Sequence, residues 1–221
     1  MRVICVVCLA LVISACATSR ILLPESLADQ AVVPGGSTAR MWGDELPNNI
    51  AERVEIMRQQ FGVQGDQNVF LEPPTILALS GGGANGAFGA GLLKGWSESG
   101  TRPKLFIVAG ISTGALIAPF AFLGSDYDED LEQFYTNLTT DDLIESRSLF
   151  RGIFSDALFD TRRLREILRQ KVDDEMIGKI AREYDRGRRL LIGTTNLEAH
   201  RPVIWNIGAR LPRLGPRKPI S

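Results

Sequence analysis

The chain has 221 residues, of which 44% are hydrophobic and 23% charged. That composition is too apolar for wholesale disorder, and the chain is long enough to bury a core without disulfides or metals. Lys+Arg number 25 against 26 Asp+Glu, so no basic excess points to nucleic acid as a partner.

The chain opens with MRVICVVCLALVISAC. Arg2 gives a short positive start. Val3–Ile13 is an apolar run of signal-peptide length, too short to span a bilayer as a permanent helix. The segment closes with Ile13-Ser14-Ala15-Cys16, which resembles the lipobox of bacterial lipoproteins. That resemblance implies a signal peptide over 1–15. It also implies a lipid on Cys16 and a chain anchored to an envelope membrane, facing the periplasm. Ala17 leans toward the outer membrane. The three cysteines are Cys5, Cys8 and Cys16, so the mature chain is expected to hold no disulfide and no cysteine metal site.

Residues 16–70 read as a tether with one short helix. Thr18–Asn49 carries Pro24, Pro34, Gly35, Gly36 and Pro47 with little periodicity. Ile50–Phe61 places Ile50, Val54, Met57 and Phe61 at helical spacing, which predicts an amphipathic helix. Pro73-Pro74 then breaks the chain, and the main domain is expected over 71–209.

That domain opens with a strand over Thr75–Leu79, a glycine turn at Ser80–Gly83 and a helix over Gly86–Ser99. Phe88, Leu92, Leu93 and Trp96 are assigned to the buried side of this helix. A second strand follows at Leu105–Ala109, a tight turn at Gly110–Gly114 and a helix over Ala115–Leu123. This strand–turn–helix repetition predicts an α/β fold with a mainly parallel sheet. Further helices are predicted over Asp128–Leu138, Thr161–Val172 (capped by Asp160) and Asp173–Arg186 (capped by Asp173 or Asp174). Strands at Leu190–Thr194 and Val203–Ile207 flank a loop at Asn196–Arg201.

Two glycine motifs carry the chemistry. In Ser80-Gly81-Gly82-Gly83-Ala84-Asn85-Gly86, side chains without Cβ let amides converge on one point, and the next helix start adds a positive dipole end. Such a nest holds a phosphate or a transient oxyanion. A dinucleotide reading of Gly81-x-Gly83-x-x-Gly86 needs an acid at the end of the second strand, and Gly110-Ile111-Ser112 stands there instead. No Gly-Lys-Ser/Thr of a phosphate-binding loop occurs. The second motif, Gly110-Ile111-Ser112-Thr113-Gly114, is a G-x-S-x-G at a strand-to-helix turn. That setting projects a serine hydroxyl at the carboxyl edge of the sheet, next to the nest if the two strands are neighbours.

SGGGANGAFGAGLLKG followed by GISTG resembles the patatin-like phospholipases, over roughly Pro74–Ala209 and including TTNLEAHRPVIWNIGA. The resemblance implies a three-layer α/β fold and hydrolysis of phospholipids or other acyl-ester lipids. Ser112 would be the nucleophile, and the amides of Gly81, Gly82 and Gly83 the oxyanion hole. Gly86, Gly110 and Gly114 would be motif glycines. It implies no metal and no cofactor, and a Ser–Asp dyad with no histidine. His200, the one histidine, falls in a predicted hairpin loop, where a Ser-His-Asp triad would have to recruit it.

The family's aspartate belongs to a D-G-G/A motif, and no Asp-Gly occurs in this sequence. The aspartates after Ser112 are Asp126, Asp128, Asp130, Asp141, Asp142, Asp156, Asp160, Asp173, Asp174 and Asp185, and none fits the motif. The segment 210–221 carries three prolines and four basic residues, unlike the body before it. The expectation is therefore an incomplete domain, cut before its catalytic aspartate and impaired in turnover. The alternative is a catalytically silent, lipid-anchored binding protein on the same fold. Nothing in the sequence speaks to oligomeric state.

Overall fold

A computed structural model describes residues 27, 33, 36–63, 74–136 and 168–210. The expected signal segment, Cys16, Asp141, Asp142, Asp156, Asp160 and the tail beyond Arg210 lie outside the described residues. So does most of the helix predicted over Thr161–Val172, of which residues 168–171 are helical. The chain divides into two units, Met1–Ala31 with Leu197–Ala199, and Val32–Asn196 with His200–Ser221. In the first, Leu27 is helical and Leu197–Ala199 adopt a turn. Every element below belongs to the second.

In chain order these are β1 (Arg40–Trp42), α1 (Ile50–Val63), β2 (Ile76–Leu79), α2 (Gly86–Glu98), β3 (Ile107–Ile111) and α3 (Thr113–Leu123). They continue with α4 (Asp128–Thr136), α5 (Asp174–Asp185), β4 (Arg189–Asn196), β5 (Arg201–Asn206) and the short α6 (Ile207–Arg210). Short 3-10 turns at Gly83–Asn85 and Ser125–Tyr127 lead into α2 and α4. The five strands form one sheet in the order β1-β5-β4-β3-β2. β2, β3 and β4 run parallel, while β4–β5 and β5–β1 are antiparallel. The expected α/β class holds, and two of the three parallel strands, β2 and β3, lead into the two glycine motifs.

The second predicted strand starts two residues late. Leu105 is buried but precedes β3, and its carbonyl accepts the Arg188 Nε at 2.8 Å. The strand instead runs through Gly110 and Ile111, because Leu79 pairs with Gly110 on one side and Gly193 with Ile111 on the other. Apolar residues of one sheet face, Val108 and Leu190 with Leu77, Leu79 and Ile192 beside them, meet Ile117, Ala118, Phe120 and Ala121 of α3. Ala90 and Leu93 of α2, Leu131 of α4, and Met176 and Ile180 of α5 complete that core. Asp173 caps α5, its carboxylate accepting from Met176 N at 2.8 Å.

Within 16–70, expected as a tether with one short helix, residues 36–63 are described. Arg40–Trp42 adds an edge strand to β5, and Ala39 is fully buried. Arg53 of α1 donates to the carbonyls of Thr38 at 2.8 Å and Arg40 at 2.9 Å. Gln60 accepts from Arg189 Nη2 at 2.6 Å. Along α1, Ile50 and Val54 of the apolar spacing are exposed while Ile56 and Met57 are half-buried.

Candidate active site

β3 ends at Ile111 and α3 begins at Thr113, so the chain must turn from strand to helix within Ser112. It does so at φ 54°, ψ −123°. A residue with a Cβ is rarely found at positive φ, and holding one there costs about 1–3 kcal/mol. Two glycines make the turn fit. A Cβ on Gly110 would lie 2.6 Å from the Gly114 carbonyl carbon and 2.8 Å from Ala115 N. A Cβ on Gly114 would lie 2.6 Å from the Leu79 carbonyl carbon and 2.8 Å from Ser80 O. Strand β3, helix α3 and the end of β2 therefore touch backbone to backbone, and Ser112 is left half-buried at the sheet's carboxyl edge.

The pairing of Leu79 with Gly110 brings the first glycine loop alongside. A Cβ built on Gly81 would stand 3.0 Å from the Ser112 Cβ and 3.5 Å from its Oγ. Gly81 and Gly82 are exposed, and Gly83 has φ +56°. The loop carbonyls turn inward: Asn85 N donates to Gly82 O at 3.0 Å, and Thr113 Oγ1 donates to Gly83 O at 3.0 Å. Among the described residues, no backbone hydrogen bond outside the helices and strands uses the Gly81, Gly82 or Gly83 amide as donor. Gly86 then starts α2, where a Cβ would overlap the Thr113 methyl and stand 2.5 Å from the Tyr135 hydroxyl. That hydroxyl is buried without a hydrogen-bond partner among the described residues, and burial pushes its pKa well above the usual phenol range.

The structure corrects the buried face of α2. Gly86, Ala90 and Leu93 point inward and Trp96 is partly covered, whereas Phe88 is 77% and Leu92 60% exposed. The helix has two apolar stripes, and the one with small residues wins. Only Gly86 and its neighbours allow α2 to approach Thr113, Tyr135 and Ile117 this closely.

A sequence profile of the patatin-like phospholipases matches residues 77–207, more than half of the chain. The chain belongs to the patatin-like phospholipase family. No curated protein and no solved structure matches it significantly. The profile spans both glycine motifs and ends at the start of α6, so the patatin-like domain is the α/β unit just described, from β2 onward.

In this patatin-like domain three of the described aspartates are engaged elsewhere. Among the described residues no hydrogen bond reaches the Ser112 hydroxyl. Asp128 accepts from Arg102 Nη1 at 2.8 Å, Asp130 pairs with Lys171 at 3.5 Å, and Asp173 caps α5. His200 is exposed at φ 50° in the turn between β4 and β5. No group of three or more His, Cys, Asp or Glu side chains in metal-binding range occurs among the described residues. Thr113 and Tyr135 are the site-adjacent residues that sequence reasoning missed. Thr113 was visible as the variable position of G-x-S-x-G, whereas nothing in the sequence ties Tyr135, on α4, to the glycine loop.

Proposed function

We propose that this patatin-like chain is a serine acyl hydrolase of lipid esters, with Ser112 as nucleophile and the Gly81–Gly83 amides as oxyanion donors. The observation that carries the reading is the approach of Gly81 to Ser112, whose Oγ lies 3.5 Å from the position a Gly81 Cβ would take. An ester carbonyl set between them would have its carbon beside the hydroxyl and its oxygen beside amides without backbone partners. The Ser112 oxygen attacks the carbonyl carbon and its proton passes to a solvent water acting as base, which returns it to the departing alkoxide. The tetrahedral oxyanion is held by the amides, and its collapse expels the alcohol. Water then releases the fatty acid from the acyl-serine. One oxyanion donor in comparable sites is worth about 10²–10³ in kcat. Exposed Phe88 and Leu92, in the first two turns after the loop, offer apolar surface suited to an acyl chain.

A fluorophosphonate probe tests the assignment. The chain is expected to be labelled and Ser112→Ala is not; labelling that survives Ser112→Ala removes Ser112 from the role. A second reading, a silent lipid-binding protein on the same fold, is favoured by the lack of a hydrogen-bond partner on the Ser112 hydroxyl among the described residues. A wild-type chain that binds phospholipid vesicles yet takes up no probe selects it. The reading also places a lipid on Cys16 and the domain at the periplasmic face of an envelope membrane, on the strength of the Ile13-Ser14-Ala15-Cys16 pattern. Cys16→Ser is expected to move the protein from the membrane to the soluble fraction, and unchanged sedimentation with membranes refutes the anchor.

A further inference from the structure

We propose that Thr113 is a positioning residue that registers the glycine loop against Ser112; this rests on reading Ser112 as the nucleophile and Gly81–Gly83 as the oxyanion donors. Both branches of its side chain are in use. The hydroxyl donates to Gly83 O at 3.0 Å, and the methyl occupies the space that a Cβ on Gly86 would need. The residue is 1% exposed, so water does not compete for the hydroxyl. A glycine loop loses more backbone freedom on ordering than any other and does not hold its own shape. Gly83, at φ +56°, is the residue whose carbonyl Thr113 holds. Asn85 N holds the Gly82 carbonyl in the same way. With both carbonyls tied back, the Gly81, Gly82 and Gly83 amides donate to no backbone acceptor outside the helices and strands among the described residues. Because Thr113 is bonded directly to Ser112, the hydroxyl that would attack and the loop that would receive the oxyanion move as one body. Tyr135 backs the arrangement, its hydroxyl 2.5 Å from where the same Gly86 Cβ would be.

Two substitutions in the full chain separate this from simple packing. Thr113→Val keeps the shape and removes the hydroxyl; Thr113→Ser keeps the hydroxyl and removes the methyl. With p-nitrophenyl butyrate, Thr113→Val is expected to lower kcat roughly ten- to a hundredfold with little change in KM, as a loop displaced by a fraction of an ångström would. Thr113→Ser is expected to retain kcat within about threefold, since the loop stays in register. Amide exchange read at Asn85, whose N–H is bonded to Gly82 O, gives a second arm that needs no turnover. Thr113→Val is expected to speed it about tenfold or more while β4 and α5 keep wild-type rates, and Thr113→Ser is expected to leave it alone. Wild-type kcat and wild-type exchange in Thr113→Val overturn the proposal, as does a Thr113→Ser loss equal to that of Thr113→Val. The nucleophile reading fails separately, if Ser112→Ala turns over like wild type. A wild-type chain with no turnover leaves the exchange arm to decide whether Thr113 holds the loop.

Discussion

At the scale of single residues, the site is a place where side chains are excluded so that one can stand at the carboxyl edge of the sheet. Ser112 is held at φ 54° because Gly110 and Gly114 let β3, α3 and the end of β2 meet without any Cβ between them. Gly114 is the more exacting of the two, since a Cβ there runs into the carbonyls of Leu79 and Ser80, and backbone yields less readily than a flexible side chain. Gly114→Ala is therefore expected to destabilise the fold by about 1–3 kcal/mol, the usual range for overpacking. It should also push Ser80 and Gly81 away from the serine. The urea midpoint reports the first effect and fluorophosphonate labelling the second. A variant of unchanged midpoint and full labelling would mean that this contact is slack.

At the scale of elements, α2 shows how glycine can be both indispensable and dispensable within one helix. Gly86 and Gly89 face inward, against Thr113, Tyr135 and Ile117, but a Cβ on Gly91 would meet nothing within 4 Å. An open glycine in a helix interior only adds entropy to the unfolded chain. Gly91→Ala is thus expected to raise stability by about 0.4–1 kcal/mol, seen as a higher denaturation midpoint with labelling unchanged. The same helix marks the limit of what the sequence discloses. Its existence follows from the apolar spacing after a glycine turn, as do β2, β3 and the hairpin pair β4–β5. Its buried face does not follow, because Phe88 and Leu92 make as good an apolar stripe as Ala90 and Leu93. Only the close approach at Gly86, a tertiary fact, chooses between them. The juxtaposition of Gly81 and Ser112 was legible once β2 and β3 were assumed to be neighbours. β1 was not, since Arg40–Trp42 carries no alternation and becomes a strand only through pairing with Val203–Trp205.

At the scale of the whole molecule, half-buried Arg102 and buried Arg188 brace the end of the sheet opposite Ser112. Arg102 ties α2, α3 and α4 together through Leu93 O, Ala121 O and Asp128. Arg188 reaches Leu105 O, Phe122 O and Glu183. Burial alone would push the Glu183 carboxyl up. Hydrogen bonds from Arg188 at 2.7 Å and Arg186 at 2.5 Å, with Lys104 at 3.4 Å, outweigh it and hold the pKa below the ordinary 4.5. The unfolded chain therefore binds the proton at higher pH than the folded one. The contribution of Glu183 to stability is complete above 4.5 and is lost as pH falls through the lower folded value. Glu183→Gln is expected to be less stable than wild type at pH 7 and to show a flatter fall in urea midpoint from about pH 5 to pH 3. Parallel pH profiles for the two proteins would show that Glu183 is not the group that titrates.

The ladder between β1 and β5 also fixes an order of events. Arg40 pairs with Trp205 and Trp42 with Val203, so the first described strand has to wait for the last described strand before it finds a partner. Closing so long a loop is entropically slow, and folds dominated by such distant pairings assemble late. In the interval β1 exposes unpaired backbone groups, and any neighbouring molecule that presents its own β5 is an equally good match for them. Exchange of this strand between copies is the misassembly to which this topology is most open. Asn206 N, donating to Ala39 O at 3.0 Å, is the bond that seats β1 against its own β5 once that strand is in place.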